Sequence, residues 1–359
     1  MSQVSNLKRI CFWVELPAAA LFIRLKKKLK NTAFNLIIML SDTILKSQLK
    51  HTLDKTNFNF GKKYEGKVRD NYILDGKRLI ITTDRISAFD RVLCTLPFKG
   101  QVLNQTSEFW FKKTKKIIDN HVIAVPDPNA MLVKECKLIP VEMVVRGYLT
   151  GVTTTSAWHN YEKGVRNFCG NILPEGMRKN QKFSKPIITP STKAEHGSHD
   201  ESISGEEIIK RKLVDEKVYR QMEKTALALF DFGAKLIAKN NLILVDTKYE
   251  FGLLDGKLVL IDEIHTPDSS RFWIKETYEE LFARGQEPQK LDKEYVRQYL
   301  ANKGFVGDGD IPEIPDEIKI EAAKRYITAY EMITGKLFDA ENGDILERIE
   351  RNIRKSRII

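Results

Sequence analysis

The chain has 359 residues, 42% hydrophobic and 30% charged, the make-up of an ordinary globular protein large enough for two lobes. Its four cysteines, Cys11, Cys94, Cys136 and Cys169, have no CxxC spacing, which suggests neither a zinc site nor a thiol nucleophile and makes reduced thiols in the cytoplasm the expectation. The net charge of +11 resembles a nucleic-acid signal, but residues 1–38 carry +6 of it. The remainder is mildly basic, which suits small anionic substrates as well as RNA.

Within residues 1–38, the apolar run Ile10–Ile23 is broken by Glu15 and followed by a lysine cluster. It is too short and too charged to span a bilayer. An organelle transit sequence is one reading; a start codon upstream of the true first residue, Met39, is the one favoured. The segment is expected to be disordered and to take no part in chemistry.

After Met39, Ser41 is placed to cap a short helix running to about Leu53. Asp75-Gly76 between Val68–Leu74 and Arg78–Thr83 predicts a β-hairpin. Val102–Lys116 reads as a helix, and Met131–Leu138 and Val141–Arg146 as strands on either side of Pro140. Residues 164–204 are poor in periodicity and read as a long functional loop. Ser204, with Glu207 three residues on, has the spacing of a capping box. The helix it starts breaks near Val214 and resumes over Glu216–Lys239, with Leu227, Phe230 and Leu236 in its apolar stripe. Leu242–Val245 and Leu258–Ile261 flank Asp255-Gly256 as a second hairpin. From Thr277 onward the chain reads as helical, most clearly over Glu317–Leu337, ahead of a charged tail. This order predicts an α+β fold: a β-rich lobe over 39–140, then a mixed lobe with C-terminal helices over 141–359.

The second hairpin is the most informative part. Residues two apart share a strand face, so Asp246, Lys248 and Glu250 line one side, with Asp262 and Glu263 brought near by the turn. Such a face is either a metal-phosphate site or a solvated set of ion pairs. Lys67 and Arg69 in Gly66-Lys-Val-Arg69 share a strand face suited to phosphates, with a solvated edge as the competing reading. Thr83–Asp90 gathers Asp84, Arg85, Ser87 and Asp90 just after a strand, either as binding groups or as an Asx-turn with one Asp–Arg pair. Glu142 and Arg146 lie four apart on one strand face, with Met143 and Val145 opposite. They are either a carboxylate- or phosphate-recognition pair or an internal ion pair. Thr189–Glu201 is dense in hydroxyls and charges, and its His196 and His199 lack a third ligand type for zinc. Asp268-Ser-Ser-Arg271 beside Trp273 offers a compact anion site. No P-loop, GxGxxG, HExxH or nucleophile-elbow pattern is present. Together these motifs suit phosphoryl transfer from ATP, where positioning and charge neutralisation do most of the catalysis.

Six motifs in this order, GKVRDNY, TDRISAFD, PVEMVVRGYLTG, TPSTKAEHGSHDESIS, LVDTKYEFG and IDEIHTPDSSRFW, resemble the phosphoribosylaminoimidazole-succinocarboxamide synthase (SAICAR synthetase) family from about Met39 to the C-terminus. The resemblance implies a two-lobed fold with a kinase-like ATP cleft. It implies ligation of carboxyaminoimidazole ribonucleotide (CAIR) to L-aspartate in purine synthesis, with ATP as co-substrate and Mg²⁺, by way of an acyl phosphate. By motif, Lys67, Arg69, Glu142 and Glu250 would serve ATP, with adenine against Met131–Glu142. Glu250 and Asp262, with Asp200, would hold the metal. Arg146, Lys248, Ser270, Arg271 and Arg297 would bind the ribonucleotide, with Asp84, Ser87 and Asp90 at its imidazole end. Lys248, Arg146 and Asp262 would be catalytic. The chain departs from the family twice: Val-Thr-Thr-Thr-Ser156 follows Gly151 where Gly-Ser is usual, and the His196–His199 loop is longer.

Two other readings compete. A small-molecule kinase would use the same ATP site without needing aspartate. A basic RNA-binding protein would suit the isoelectric point of 9.2, though no RNP-type aromatic motif is present. The expected partners are small molecules, with neither nucleic acid nor membrane, in a monomer or small homo-oligomer.

Overall fold

The computed structural model describes residues 43–89, 91–193 and 201–357. Residues 1–38, Ser41, Asp90, His196, His199 and Asp200 therefore lie outside the described residues. The chain divides into two units, 1–47 and 48–359. In the first, helix is described from residue 43; all that follows concerns the second.

Strands β1 (Lys62–Glu65), β2 (Arg69–Leu74) and β3 (Lys77–Thr82) form a meander, and the β2–β3 turn is the expected Asp75-Gly76, with Gly76 at φ +62°. A small hairpin, β4 (Arg85–Ala88) and β5 (Arg91–Thr95), leads to helix α1 (Lys99–Thr114). β6 (Val122–Asp127) and β7 (Ala130–Lys134) complete an antiparallel five-stranded sheet in the order β1-β2-β3-β7-β6.

The second sheet starts with β8 (Lys137–Tyr148), which runs straight through Pro140 where two separate segments were expected. The register against its partner strand shifts at this point, and such an irregularity tolerates a residue without an N–H. Helix α2 (Ala157–Glu162) and the short β9 (Asn167–Phe168) and β10 (Asn171–Ile172) follow. β11 (Lys182–Ile188) and β12 (Ser191–Thr192) both pair with β8, so part of the expected 164–204 loop is sheet. Then come α3 (Gly205–Lys210), capped by Ser204 Oγ accepting from the Glu207 N–H at 3.1 Å, and α4 (Glu216–Ile237), capped by Asp215.

β13 (Leu242–Leu254) and β14 (Lys257–Ile261) make the second expected hairpin. β15 (Ser270–Ile274), not foreseen as a strand, pairs with the other half of β13. Helices α5 (Lys275–Ala283), α6 (Glu294–Asn302), α7 (Asp316–Thr334) and α8 (Ile345–Ser356) close the chain. The charged tail is thus itself a helix. Ile345, Ile349 and Ile353 recur every four residues and pack on Tyr72, Leu79, Ile81 and Leu132 of the first sheet.

The main core lies between α4 and the second sheet. The buried stripe of α4 is Tyr219, Met222, Ala226, Leu229, Phe230, Gly233 and Ile237. Leu227, assigned to that stripe from the sequence, is 39% exposed, and Leu236 only packs at its edge.

One irregularity in β13 decides what the second sheet presents. Leu242 and Leu244 face the α4 core, and so do Tyr249 and Phe251. Even and odd positions can share a face only if the alternation slips once, and the register shifts between Leu244 and Asp246. The slip turns Asp246, Lys248 and Glu250 together onto the opposite face.

Candidate active site

Asp246 and Lys248 of that face line a cleft of about 470 Å³, together with Lys67, Ser87, Glu142, Arg146, Ser270, Arg271 and Arg297, among others. Residues singled out from separate stretches of sequence therefore share one cavity. Pairing of β8 with β13 sets Asp246 opposite Arg146 and Glu250 opposite Glu142, and β15 sets Arg271 opposite Asp246.

Three charge clusters make up the site. In the first, Arg146 is buried and donates to Thr189 Oγ1 at 2.7 Å, to the Thr155 carbonyl at 2.9 Å and to Asp246 Oδ2 at 3.3 Å. Arg271 donates to the same Asp246 oxygen at 2.6 Å. Burial lowers the Arg146 pKa despite Asp246; for Arg271 burial also opposes the charge, but Asp246 outweighs it. Thr153, Thr154 and Thr155 line the cleft here, whereas the Ser156 hydroxyl bonds Thr153 Oγ1 at 2.7 Å.

In the second cluster, Lys248 Nζ donates to Glu142 Oε1 at 2.6 Å and Glu250 Oε1 at 2.9 Å, and Lys193 reaches Glu250 Oε2 at 2.6 Å. Burial works against the Lys248 ammonium, yet Glu250 and Glu142 hold its pKa well above the usual lysine value. Burial likewise opposes the Glu250 carboxylate, and Lys248 and Lys193 overcome it, so its pKa lies well below the ordinary range.

In the third, Arg69 pairs with Asp262 and, at 2.8 Å, with Glu263. The preceding loop is held by Arg85, which donates to the Gly66 carbonyl at 2.9 Å, the Lys67 carbonyl at 3.0 Å and Asp70 Oδ1 at 2.9 Å. Burial, with Glu250 and Glu263 nearby, pushes the Asp262 pKa up against Arg69. Crowded carboxylates of this kind fit a divalent cation. Among the described residues no group of three or more His, Cys, Asp or Glu converges as a metal site. Two carboxylates suffice for Mg²⁺, which keeps several waters and takes substrate phosphates as ligands.

One expectation is corrected. Asp84 does not line the cleft: it is fully buried, accepting from the Leu53 N–H on Oδ2 and the Gly100 N–H on Oδ1, each at 2.8 Å. Its carboxylate joins the start of α1 to Leu53, ahead of β1, a structural role. Asp90 and Asp200 are not placed. Thr189 and Lys193 were not singled out individually, and the organising roles were missed: Asp246 and Thr189 for the arginines, Lys193 for Glu250, Glu263 for Arg69 and Arg85 for the loop. Each sits inside a quoted motif, but its partner lies far away in sequence.

The fold and site define a mixed α+β protein with a cleft lined by charges of both signs. The SAICAR synthetase family model matches residues 62–313. A phosphoribosylaminoimidazole-succinocarboxamide synthase of Legionella pneumophila strain Paris is 48% identical over 307 residues, covering 84% of this chain and 98% of its own. A chloroplastic synthase of the same name from Arabidopsis thaliana is 46% identical, covering 86% of this chain and 77% of its own. The solved SAICAR synthase of Saccharomyces cerevisiae complexed with SAICAR superposes with a TM-score of 0.70 at 32% identity, over 80% of this chain and all of that one. A SAICAR synthetase solved in complex with ADP gives 0.59 at 26% identity, covering 78% of this chain.

The chain belongs to the SAICAR synthetase family, the ligases that join CAIR to L-aspartate with ATP in purine biosynthesis, and is an enzyme of that class. No helix among the described residues is long and apolar enough to cross a membrane.

Proposed function

We propose that this chain catalyses the family reaction through an acyl phosphate, in a kinase-like cleft between the lobe of the first sheet (39–140) and that of the second (141–359). A bare carboxylate is a poor electrophile because its charge and resonance repel nucleophiles. Transfer of the ATP γ-phosphoryl group to the CAIR carboxylate supplies a leaving group, and the amine of aspartate then displaces phosphate. The single observation that carries this reading is the junction at Lys248. Its ammonium ties Glu250, beside the Arg69–Asp262 cluster, to Glu142 in the cleft that also holds Arg146 and Arg271.

In this reading Lys67 and Arg69 neutralise ATP phosphates, and adenine lies against the stretch from Met131 to Glu142. Arg146, Arg271, Ser270 and the threonine loop hold the phosphate and carboxylate of CAIR, with Ser87 at its imidazole end. Glu250 and Asp262, with Asp200, would hold Mg²⁺, which supplies charge neutralisation on the phosphates when bound. Lys248 is placed to offset charge as the phosphoryl group moves. The protein is read as cytoplasmic, without nucleic-acid or membrane partners.

The test is ADP release by the full chain given Mg-ATP and CAIR, with and without L-aspartate. Turnover requiring all three, and lost in Lys248→Ala and Asp262→Asn, is expected. Turnover independent of aspartate would point to a kinase or to an acyl phosphate uncoupled from ligation.

A further inference from the structure

Among the described residues, two polar atoms in the wall of the cleft are without a partner. Asp292 is 3% exposed; its Oδ1 accepts from the Glu294 N–H at 2.9 Å, while its Oδ2 is a buried atom without a partner. Arg297, on the first turns of α6, donates Nη1 to Glu294 Oε2 at 2.8 Å, and its Nε is likewise buried and unpartnered. Both side chains line the same cleft as Ser270 and Arg271. A buried carboxylate oxygen with no donor costs about 1–3 kcal/mol or more, so one in a site wall points to a donor arriving with the substrate.

Phosphates and carboxylates are repelled by Asp292. The amino group of CAIR is a neutral aromatic amine. The ammonium of L-aspartate is the one substrate cation, and the carboxylates it carries suit the neighbouring guanidinium of Arg297.

We infer that Asp292 receives the ammonium group of L-aspartate and takes its proton, while Arg297 holds one of that substrate's carboxylates. This rests on the acyl-phosphate reading above. One N–H proton passes to Asp292 Oδ2 and frees the nitrogen lone pair. That pair forms the C–N bond to the acyl carbon, and the C–O bond to phosphate breaks with its electrons going to oxygen. The second amine proton leaves with the hydrogen phosphate, and Asp292 returns its proton to solvent.

The charges around Asp292 are Arg271 from β15, Lys290, Lys293, Glu294 and Arg297 of its own segment, and Tyr326 from α7. Burial first, with the Glu294 charge, pushes its carboxyl up to about 6 against the Glu294 N–H, Arg271 and Lys290, which makes it a stronger base than an ordinary carboxylate.

Hydroxylamine separates the proton-accepting role from a structural one, since it is largely neutral at pH 7 and carries no carboxylate. In the full chain, Asp292→Asn is expected to lower kcat/KM for L-aspartate by about 100-fold or more, while hydroxamate formation from ATP, CAIR and hydroxylamine stays within roughly threefold of wild type. Asp292→Glu should recover part of the aspartate reaction. Equal loss with both nucleophiles, unchanged aspartate turnover, or a rise confined to the KM for CAIR would each overturn the assignment. A wild-type chain that makes SAICAR but no hydroxamate would overturn the acyl-phosphate reading instead.

Discussion

Arg271 Nη1 and Asp246 Oδ2 lie 2.6 Å apart, and that same oxygen receives Arg146 at 3.3 Å. One carboxylate thus holds two guanidiniums that would otherwise repel each other, and it aims both into the cleft. Asp246→Asn keeps the shape but removes the charge. A charge-assisted hydrogen bond contributes about 1.5–3 kcal/mol, so the KM for CAIR should rise roughly 10- to 100-fold with less change in the KM for ATP. Steady-state kinetics with each substrate varied in turn would check it; equal effects on both would argue against this division of the cleft.

Asp84 gives a prediction of the opposite kind. Asp84→Ala strands the N–H groups of Leu53 and Gly100 and should cost about 2–3 kcal/mol in urea unfolding, with substrate KM values of the folded fraction little altered. Burial raises the carboxyl pKa to about 6, so the folded state binds a proton more tightly than the unfolded chain. The stability this contributes is full below about 3.8, the ordinary aspartate value, and is lost as pH rises through about 6. Asp84→Asn should therefore flatten the fall in stability between these limits.

Gly233 reverses a general rule. In a helix interior Gly→Ala usually stabilises by about 1 kcal/mol. Here an added Cβ would lie 2.3 Å from the His265 ring. That ring cannot retreat: Tyr249 Oη meets its Nε2 at 2.5 Å, and Trp110 packs edge-on at 4.6 Å. Gly233→Ala should destabilise by about 1–3 kcal/mol, the range for overpacking, as read by thermal or urea unfolding.

The last helix offers a further test. Arg348 donates Nε and Nη2 to the two Asp127 oxygens at 3.1 Å each, both side chains being buried, and so fastens α8 to the first sheet. Arg348→Ala leaves Asp127 charged and buried and should cost about 3–5 kcal/mol. Hydrogen exchange should speed up in β6, β7 and α8 before the second sheet, whereas a change confined to α8 would mean that the pair fastens little.

Local signals were enough for a good part of this protein. Asp75-Gly76 and Asp255-Gly256 specify their turns through backbone freedom, and Ser204 with Glu207 specifies a helix start, because each depends on residues close in the chain. The shared face of Asp246, Lys248 and Glu250 follows from strand alternation alone, and the motif order led to the family. What no local rule contains is pairing at a distance. The sequence offers Asp84 and Asp246 as equivalent acids. The fold buries one against two backbone N–H groups and sets the other between two arginines, because β8, β13 and β15 pair in one register. The slip before Asp246, the sheet inside the apparent loop at 182–192 and the return of α8 to the first sheet arise in the same way. Each is decided by long-range hydrogen bonding and burial, which only the folded chain supplies.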